Sequence, residues 1–430
     1  MKHKLKIGSV VWLGVVLAIA SSGYASTFKV IYTFGSSGST DGYLPDGALV
    51  RDAAGNLYGT TVGGGSGAYS AGTVFELSPQ NDGTWMEKVL YNFTGGADGS
   101  TPVAGVVFDS QGNLYGTTQQ GGLNPPRCPG GCGVVFELSP SATGWTQKVL
   151  HSFTGGPEGA TPTAPVVLDG VGNVYGTTVS GGVQSQCYLG CGIAFELVRA
   201  HGWKEEILHT FMNSPNDGAY PEGGLTLDEK GELVGTTLIG GNWSVDAGSD
   251  GTVYKLAPNS DGTWTETELY GFCALGWCAD GNGAQAGAVV HNGKIYGTTI
   301  NGGGQNAYGT VFELPETASG SGITVFPLGG AGGAVPVAPV LLNQGRLFGV
   351  TQQGGIVNGA CTLYPSGNGV VFELAELNGK PTETVLYSFT GGSDGCGPSA
   401  GLIADSAGNL YGTTYLGGSL GLGVVFEVTP

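Results

Sequence analysis

Acidic residues set in glycine-rich loops have the types and spacing that could do chemistry in this chain. Asp41, Asp98, Glu158, Asp217, Asp280 and Asp394 each precede a glycine and fall at one place in successive stretches of sequence. A carboxylate before Gly commonly bonds nearby backbone N–H groups in a turn. A ring of such acids also forms a rim that attracts a cation or a cationic ligand. No calcium loop of the D-x-D-x-D-G type occurs, so no cofactor is expected, and a bound cation such as calcium has only the rim in its favour.

A second group lies where the sequence is least regular, at Asn242–Asp250, flanked by Met212–Tyr220 and Cys273–Cys278. Tyr220, Trp243 and Trp277 beside Asp246, Asp250 and Asp280 would suit a sugar, with aromatic faces for stacking and carboxylates for hydroxyls. Such loops also drift, and their Trp residues then pack locally. Gly417-Gly-Ser419-Leu-Gly421 matches the nucleophile-elbow pattern. In a chain with 84 glycines among 430 residues a chance match is expected, and no strand-to-helix turn surrounds it. The four histidines after the leader (His151, His201, His209 and His291) have no spacing for a triad or a metal site, and no metal is expected.

The elements that must position these loops are set by a repeated phrase. Gly112-Asn-Leu-Tyr-Gly-Thr-Thr118 returns, with small changes, at Gly55, Gly172, Gly231, Gly293, Gly345 and Gly408. Recurrence roughly every 59 residues is the mark of a repeat architecture. In the second copy, Ala104–Asp109 predicts strand a, Asn113–Thr118 strand b, Gly133–Leu138 strand c and Trp145–Phe153 strand d, with turn residues between them. Four evenly spaced strands make one antiparallel blade of a β-propeller. Strands b and c are apolar or small on both faces, as expected of sheets sandwiched between neighbours. The Gly of Tyr-Gly-Thr-Thr predicts a close approach by the neighbouring blade.

The ends predict closure. Phe28-Lys-Val-Ile-Tyr-Thr-Phe34 reads as a d strand with no a, b and c before it, and the last copy stops after c. The economical arrangement is all-β: a single seven-bladed β-propeller over 26–430, its ring closed by the N-terminal strand pairing with the last blade. Residues 1–25 read as a secretory signal peptide, with Lys2, Lys4 and Lys6 before an apolar run that ends at Ala25. The expectation is a secreted, extracellular or cell-surface bacterial protein, monomeric and without membrane insertion once the leader is cut.

Two features sharpen the pairing. The second residue of the phrase and the acid of strand c exchange sign together between copies. This predicts Glu232 opposite Lys255, Lys294 opposite Glu313 and Arg346 opposite Glu373. Eight cysteines suit an oxidising compartment. Cys128/Cys132 and Cys187/Cys191 share a repeat position, Cys273/Cys278 bracket a loop, and Cys361 and Cys396 are left for each other. A net charge of −18 without a basic patch excludes nucleic acid as partner.

Together, GNLYGTT, GVVFELSP and VLYSFTGG-x-DG-x-x-P resemble the GloVer tandem-repeat family of exported bacterial proteins, also labelled choice-of-anchor. The resemblance covers essentially the whole chain after residue 25 and implies an extracellular or surface protein; it carries no catalytic residues with it. The sequence favours an extracellular binding module for glycan or protein over an enzyme. The alternative is a carbohydrate-active lyase or hydrolase using loop carboxylates near the channel mouth.

Overall fold

Seven four-stranded antiparallel sheets make up the computed structural model. It describes residues 26–38, 40–67, 70–183, 187–241, 250–305, 307–377 and 380–430; the expected leader at 1–25 lies outside them. Blade 1 holds Val50–Arg51, Leu57–Thr61, Thr73–Pro79 and Trp85–Asn92 as strands a to d. Blade 2 holds Val107–Phe108, Leu114–Thr118, Val134–Ser141 and Gly144–Ser152. Blade 3 holds Val167–Leu168, Val174–Thr178, Ile193–Val198 and Lys204–Thr210. Blade 4 holds Thr226–Leu227, Leu233–Thr237, Thr252–Pro258 and Trp264–Gly271.

Blade 5 holds Val289–His291, Lys294–Thr299, Thr310–Pro315 and Thr324–Pro327. Blade 6 holds Leu341–Asn343, Arg346–Thr351, Val370–Leu377 and Lys380–Ser388. Blade 7 takes Ile403–Ala404, Leu410–Thr414 and Val424–Thr429 as strands a to c, and the N-terminal Thr27–Thr33 pairs with its strand c as d. The ring therefore closes as the unmatched ends predict.

The core is divided among the junctions. Seven apolar clusters each draw side chains from two adjacent blades, and one of them joins Ile31 and Phe34 to Leu57, Phe75 and Val425 across the closure. At six junctions an aromatic ring from the end of one d strand meets the strand-c ring of the next blade edge-on or tilted. Phe93 on Phe136 at 5.2 Å and Phe34 on Phe75 at 5.2 Å are examples. At the remaining junction Leu328 takes the place of the first ring in the cluster with Phe372.

The glycine of the phrase serves this contact, though not in the way the sequence suggests. Gly116 directly opposes Phe136 within its own sheet, and a Cβ there would lie 2.7 Å from the Phe136 ring. The room is needed by the blade's own aromatic, which then meets the neighbour. The Thr after that Gly donates across the junction: Thr60 Oγ1 to the Ala104 carbonyl at 2.8 Å, Thr117 to Ala164 at 3.0 Å and Thr236 to Ala286 at 2.7 Å.

Two expectations need correction. Strand a pairs over two or three residues rather than the six expected from Ala104–Asp109, because the chain before it runs into the crowded centre. A Cβ on Gly105 would lie 2.2 Å from the Ala48 carbonyl of the preceding blade, so backbone meets backbone there. The charge pairs are diagonal, not directly opposed. Lys255 faces Val234, Glu313 faces Tyr296 and Glu373 faces Phe348. Long side chains still reach one step along the strand, with Lys255–Glu232 at 2.9 Å, Lys294–Glu313 at 2.6 Å and Arg346–Glu373 at 3.1 Å. The covarying position was thus two residues from the ladder partner, on the same face.

Replacing Gly116 by Val should lower stability by about 1–3 kcal/mol through overpacking against Phe136. Gly170→Ala, where a Cβ meets nothing within 4 Å, should leave the melting temperature unchanged. Equal thermal unfolding of the two variants would remove the interlock from the account.

Candidate functional site: the loop face and central funnel

The loops between d and a and those between b and c lie at one end of the ring and are tied together in every copy. Gly42 bridges Gly64, Ser100 bridges Gln120, Ala160 bridges Ser180 and Gly218 bridges Gly240, and the remaining three copies repeat the bridge. This end is a bonded layer and not a fringe of free loops.

The loop acids are built into that layer. Asp98 accepts from the Tyr91 hydroxyl at 3.0 Å, the Thr94 N–H at 2.8 Å and the Thr94 hydroxyl. Asp41 takes the Tyr32 hydroxyl at 2.7 Å and the Gly35 N–H at 2.7 Å. Asp280 takes Tyr270 at 2.8 Å and two backbone N–H groups, and Asp394 takes Tyr387 at 2.9 Å with Thr390. Asp217 bonds His209 Nε2 at 3.1 Å and the Met212 N–H at 2.8 Å; Glu158 takes the Thr154 hydroxyl. In the one loop without an acid, Gly329–Gly333, the matching d-strand position is Phe326, which opposes Val311 as Tyr91 opposes Val74. The phenol hydroxyl and the carboxylate are lost together. Five of these acids are clasps for the d strand, and Glu158 holds its own loop at Thr154.

The aromatic and acidic residues of the irregular stretch do not assemble. Trp243 and Asp246 lie outside the described residues. Trp277 is 79 % exposed, whereas Asp280 is fully buried in its clasp. Tyr220 packs beside the cluster between blades 3 and 4. Asp250 is held by the Asn282 side chain. The neighbouring Cys273 and Cys278 are joined, as are Cys128–Cys132, Cys187–Cys191 and Cys361–Cys396, so none of these thiols is a free ligand. A set of acids on the opposite end, Asp228, Glu232 and Glu316, already surrounds the Lys230 ammonium, 2.7 Å from Glu316.

What the loop layer encloses is a central funnel of about 640 Å³. Its wall repeats. The residue between Pro and a small residue just before each strand a comes to the wall from all seven blades: Asp46, Val103, Thr163, Glu222, Gln285 (after Ala284), Val337 and Ser399. In five copies the residue before that Pro is not glycine and has a left-handed backbone: Leu44, Thr101, Thr161, Tyr220 and Val335, with φ between 56° and 61°. This conformation is costly for β-branched side chains and persists only where the surroundings fix it. Two backbone hydrogen bonds do so in each case; Thr101 donates to the Ala71 carbonyl and accepts from the Gln119 N–H.

Gln119, Val179 and Gln352, each just after a Thr-Thr or Val-Thr pair, add to the wall from strand b. Among the described residues no Lys, Arg, His or aromatic side chain lines it. Asp46 accepts from the Ser399 hydroxyl and Glu222 from Gln285 Nε2 at 2.7 Å. Burial pushes both carboxyls above their ordinary range, and these single hydrogen bonds only partly offset it. The Thr163 hydroxyl is buried without a partner. Asp46 and Glu222 were not among the sequence candidates. The signal was present as the variable residue of the Pro-x-Ala/Gly triplet, the one wall position where copies differ in polarity.

The repeat profile described as the Gloeobacter/Verrucomicrobia repeat matches residues 66–274 and 190–366. The chain belongs to that family, in agreement with the resemblance read from its motifs. No curated protein matches it in sequence. Among solved structures it is similar to a luciferin-regenerating enzyme, at 9 % identity over 82 % of this chain and 96 % of that one, with a TM-score of 0.43. A protein from Lactobacillus plantarum is similar at 12 % identity over 80 % and 85 %, with a TM-score of 0.46. PorZ, a surface component of the type-IX secretion system of Porphyromonas gingivalis, is similar at 14 % identity over 89 % of this chain and 46 % of that one, also at 0.46. These are likenesses of architecture, and no activity is drawn from them.

Two outcomes follow from the clasps. In a double-mutant cycle, Tyr91→Phe and Asp98→Ala should couple by about 1–2 kcal/mol, because a hydroxyl-to-carboxylate bond exists only when both are present. Additive losses in chemical denaturation would dissolve the clasp.

The second concerns pH. Burial between blades pushes Glu87 up to about 7, Glu205 up to about 8 and Glu266 up to about 7, with Asp41, Glu158 and Asp217 respectively adding repulsion. His209 partly offsets the rise at Glu266. The folded state then holds protons that the unfolded chain has released, so stability falls as pH rises from the ordinary glutamate range to about 8. Asp52, Asp109 and Asp405, held below the ordinary range by hydrogen bonds that outweigh their desolvation, lose their contribution at more acidic pH. The melting temperature should be highest near pH 5 and lower at pH 8.5. The Glu87→Gln, Glu205→Gln, Glu266→Gln triple variant should flatten that decline.

Proposed function

We propose that this chain is an exported binding module that captures a glycan or a protein at its loop-rich face, with part of the ligand entering the central funnel. The observation that carries this reading is the wall. It is rigid, mostly small and apolar, and set with a few hydrogen-bonding groups, as ligand pockets generally are. Its volume is within the range of small-ligand pockets. The four disulfides fit an oxidising compartment, and no helix among the described residues is long and apolar enough to cross a membrane.

Binding is favoured over hydrolysis or elimination by how the carboxyls are held. A glycosidase needs two carboxyls converging on one bond. Here Asp46 and Glu222 stand in blades three steps apart around a ring of seven, each bonded to a neutral neighbour. The loop acids are committed to their clasps.

The test uses the chain from residue 26 onward. It is screened on a glycan array and against surface proteins by affinity capture, with reducing-end release measured on the same polysaccharides. Retention without release is expected. Val103→Trp and Val337→Trp, which fill the funnel from its apolar wall positions, should weaken retention at least tenfold with little change in melting temperature. Turnover of a polysaccharide, or retention untouched by both plugs, contradicts the reading.

A further inference from the structure

The acids around Lys230 already hold a cation of the chain itself. The carboxyls between blades, such as Glu87, are pushed up by burial and by a nearby acid, Asp41, and nothing beside them points to a ligand. The funnel remains, and its chemistry is more specific than that of a generic pocket.

Two of its seven ring positions are carboxyls, Asp46 and Glu222, and neither has a cationic partner. Each receives one neutral donor, Ser399 or Gln285, and among the described residues the wall offers no Lys, Arg or His to either. A carboxylate in a poorly solvated wall without a counter-charge is costly, and a ligand that brings the charge relieves that cost. The remaining polar wall groups are neutral: Thr161, Thr163, Thr226, Gln119 and Gln352. Thr163 has a hydroxyl with no partner.

The surroundings act in the same sense. The six loop acids lie on the end of the ring that carries the d–a and b–c loops, toward which the wall residues Gln119, Val179 and Gln352 lead, and the chain carries a net charge of −18. A negative, low-dielectric mouth concentrates cations. Among the described residues the wall has no aromatic side chain, and so no stacking surface of the kind a pyranose ring or a quaternary ammonium would use. The small wall residues Gly47, Ala104, Ala286 and Ala400 suit a slender group.

We infer that the funnel is a site for primary ammonium groups carried on a slender alkyl chain, one met by Asp46 and another by Glu222. This rests on the reading of the loop face as a binding surface. The shared chemistry has two sources, a free polyamine and the lysine side chain of a protein, and the occupants are told apart by their size.

The experiment is calorimetric titration and thermal shift on the chain from residue 26 onward. The ligands are cadaverine, spermidine, and a lysine tripeptide with both ends blocked; 1,5-pentanediol and the same tripeptide acetylated on lysine are the neutral controls. The amines should bind and the controls should not, with affinity falling as salt rises. Asp46→Asn and Glu222→Gln should each weaken amine binding at least tenfold, while Val103→Ala, at a neutral ring position, should not.

Preference for the tripeptide over free amines assigns a protein lysine; the reverse assigns a polyamine. Equal binding of pentanediol, a response to calcium chloride but not to amines, or indifference to both carboxyl substitutions overturns the ammonium site. A ligand retained by the loop face and released by Val337→Trp, but unaffected by Asp46→Asn and Glu222→Gln, overturns this site while leaving the binding reading intact.

Discussion

No blade of this ring can bury itself. Strands b and c are covered on both faces, and each apolar cluster is shared by two sheets, so a blade acquires a core only through its neighbours. The interlocked ring is therefore the constraint on which everything else depends. It is made by a ring at the end of strand d meeting a ring in the next strand c, by the glycine that gives the second ring its place, and by the Thr that donates across the junction. Closure belongs to the same constraint. Thr27–Thr33 completes blade 7, and two aromatics fix the ends of this stretch: Phe28 stacks on Tyr387 of blade 6, and Phe34 meets Phe75 of blade 1. Without that strand two junctions would lose part of their filling at once.

Sheets that radiate from an axis must converge at it, and the convergence dictates the wall. There the backbones approach within contact distance, so Gly and Ala occupy the innermost positions and the ladder shortens to two or three residues. The chain enters this region through a left-handed residue and, in most copies, a proline. Because backbone hydrogen bonds fix that entry, the side chain after the proline is free to vary without loss of fold. A repeat can thus hold its scaffold constant and change one wall group per blade. Here those groups are two carboxyls, three neutral polar residues and two valines.

The scaffold was legible because its determinants recur. Seven phrases fixed the blade count, the unmatched d strand fixed the closure, and spacing paired the cysteines. The b–c register was legible only to within one step. Covarying charges mark neighbours on a face, and long Lys and Arg chains reach a diagonal Glu as readily as an opposed one. Strand a was overextended because an apolar channel wall and an apolar strand have the same composition. The loop acids were ambiguous from their Asp-Gly context alone, although the joint loss of the acid and the Tyr hydroxyl at Phe326 was visible in the sequence. The funnel carboxyls were missed for a different reason. Aromatic and acidic residues are densest in the loops around blade 4, where Trp277 is exposed and Asp280 is sealed, whereas the informative position is a single residue per repeat, sparse in any one copy.

The two kinds of buried carboxyl then fall into place. Those with hydroxyl and backbone donors, such as Asp280 and Asp394, are satisfied and hold the d strands to the loop layer. Those between blades, such as Glu205 beside His151 at 3.7 Å, are pushed up first by burial and then by a nearby acid, Glu158. Asp46 and Glu222 belong to neither class. They have one donor each, open onto a cavity, and occupy positions where Val103 and Val337 show that an apolar residue serves the fold as well. A charge that the fold does not need, placed where it costs free energy and where a ligand can reach it, is best explained by what it meets when the funnel is filled.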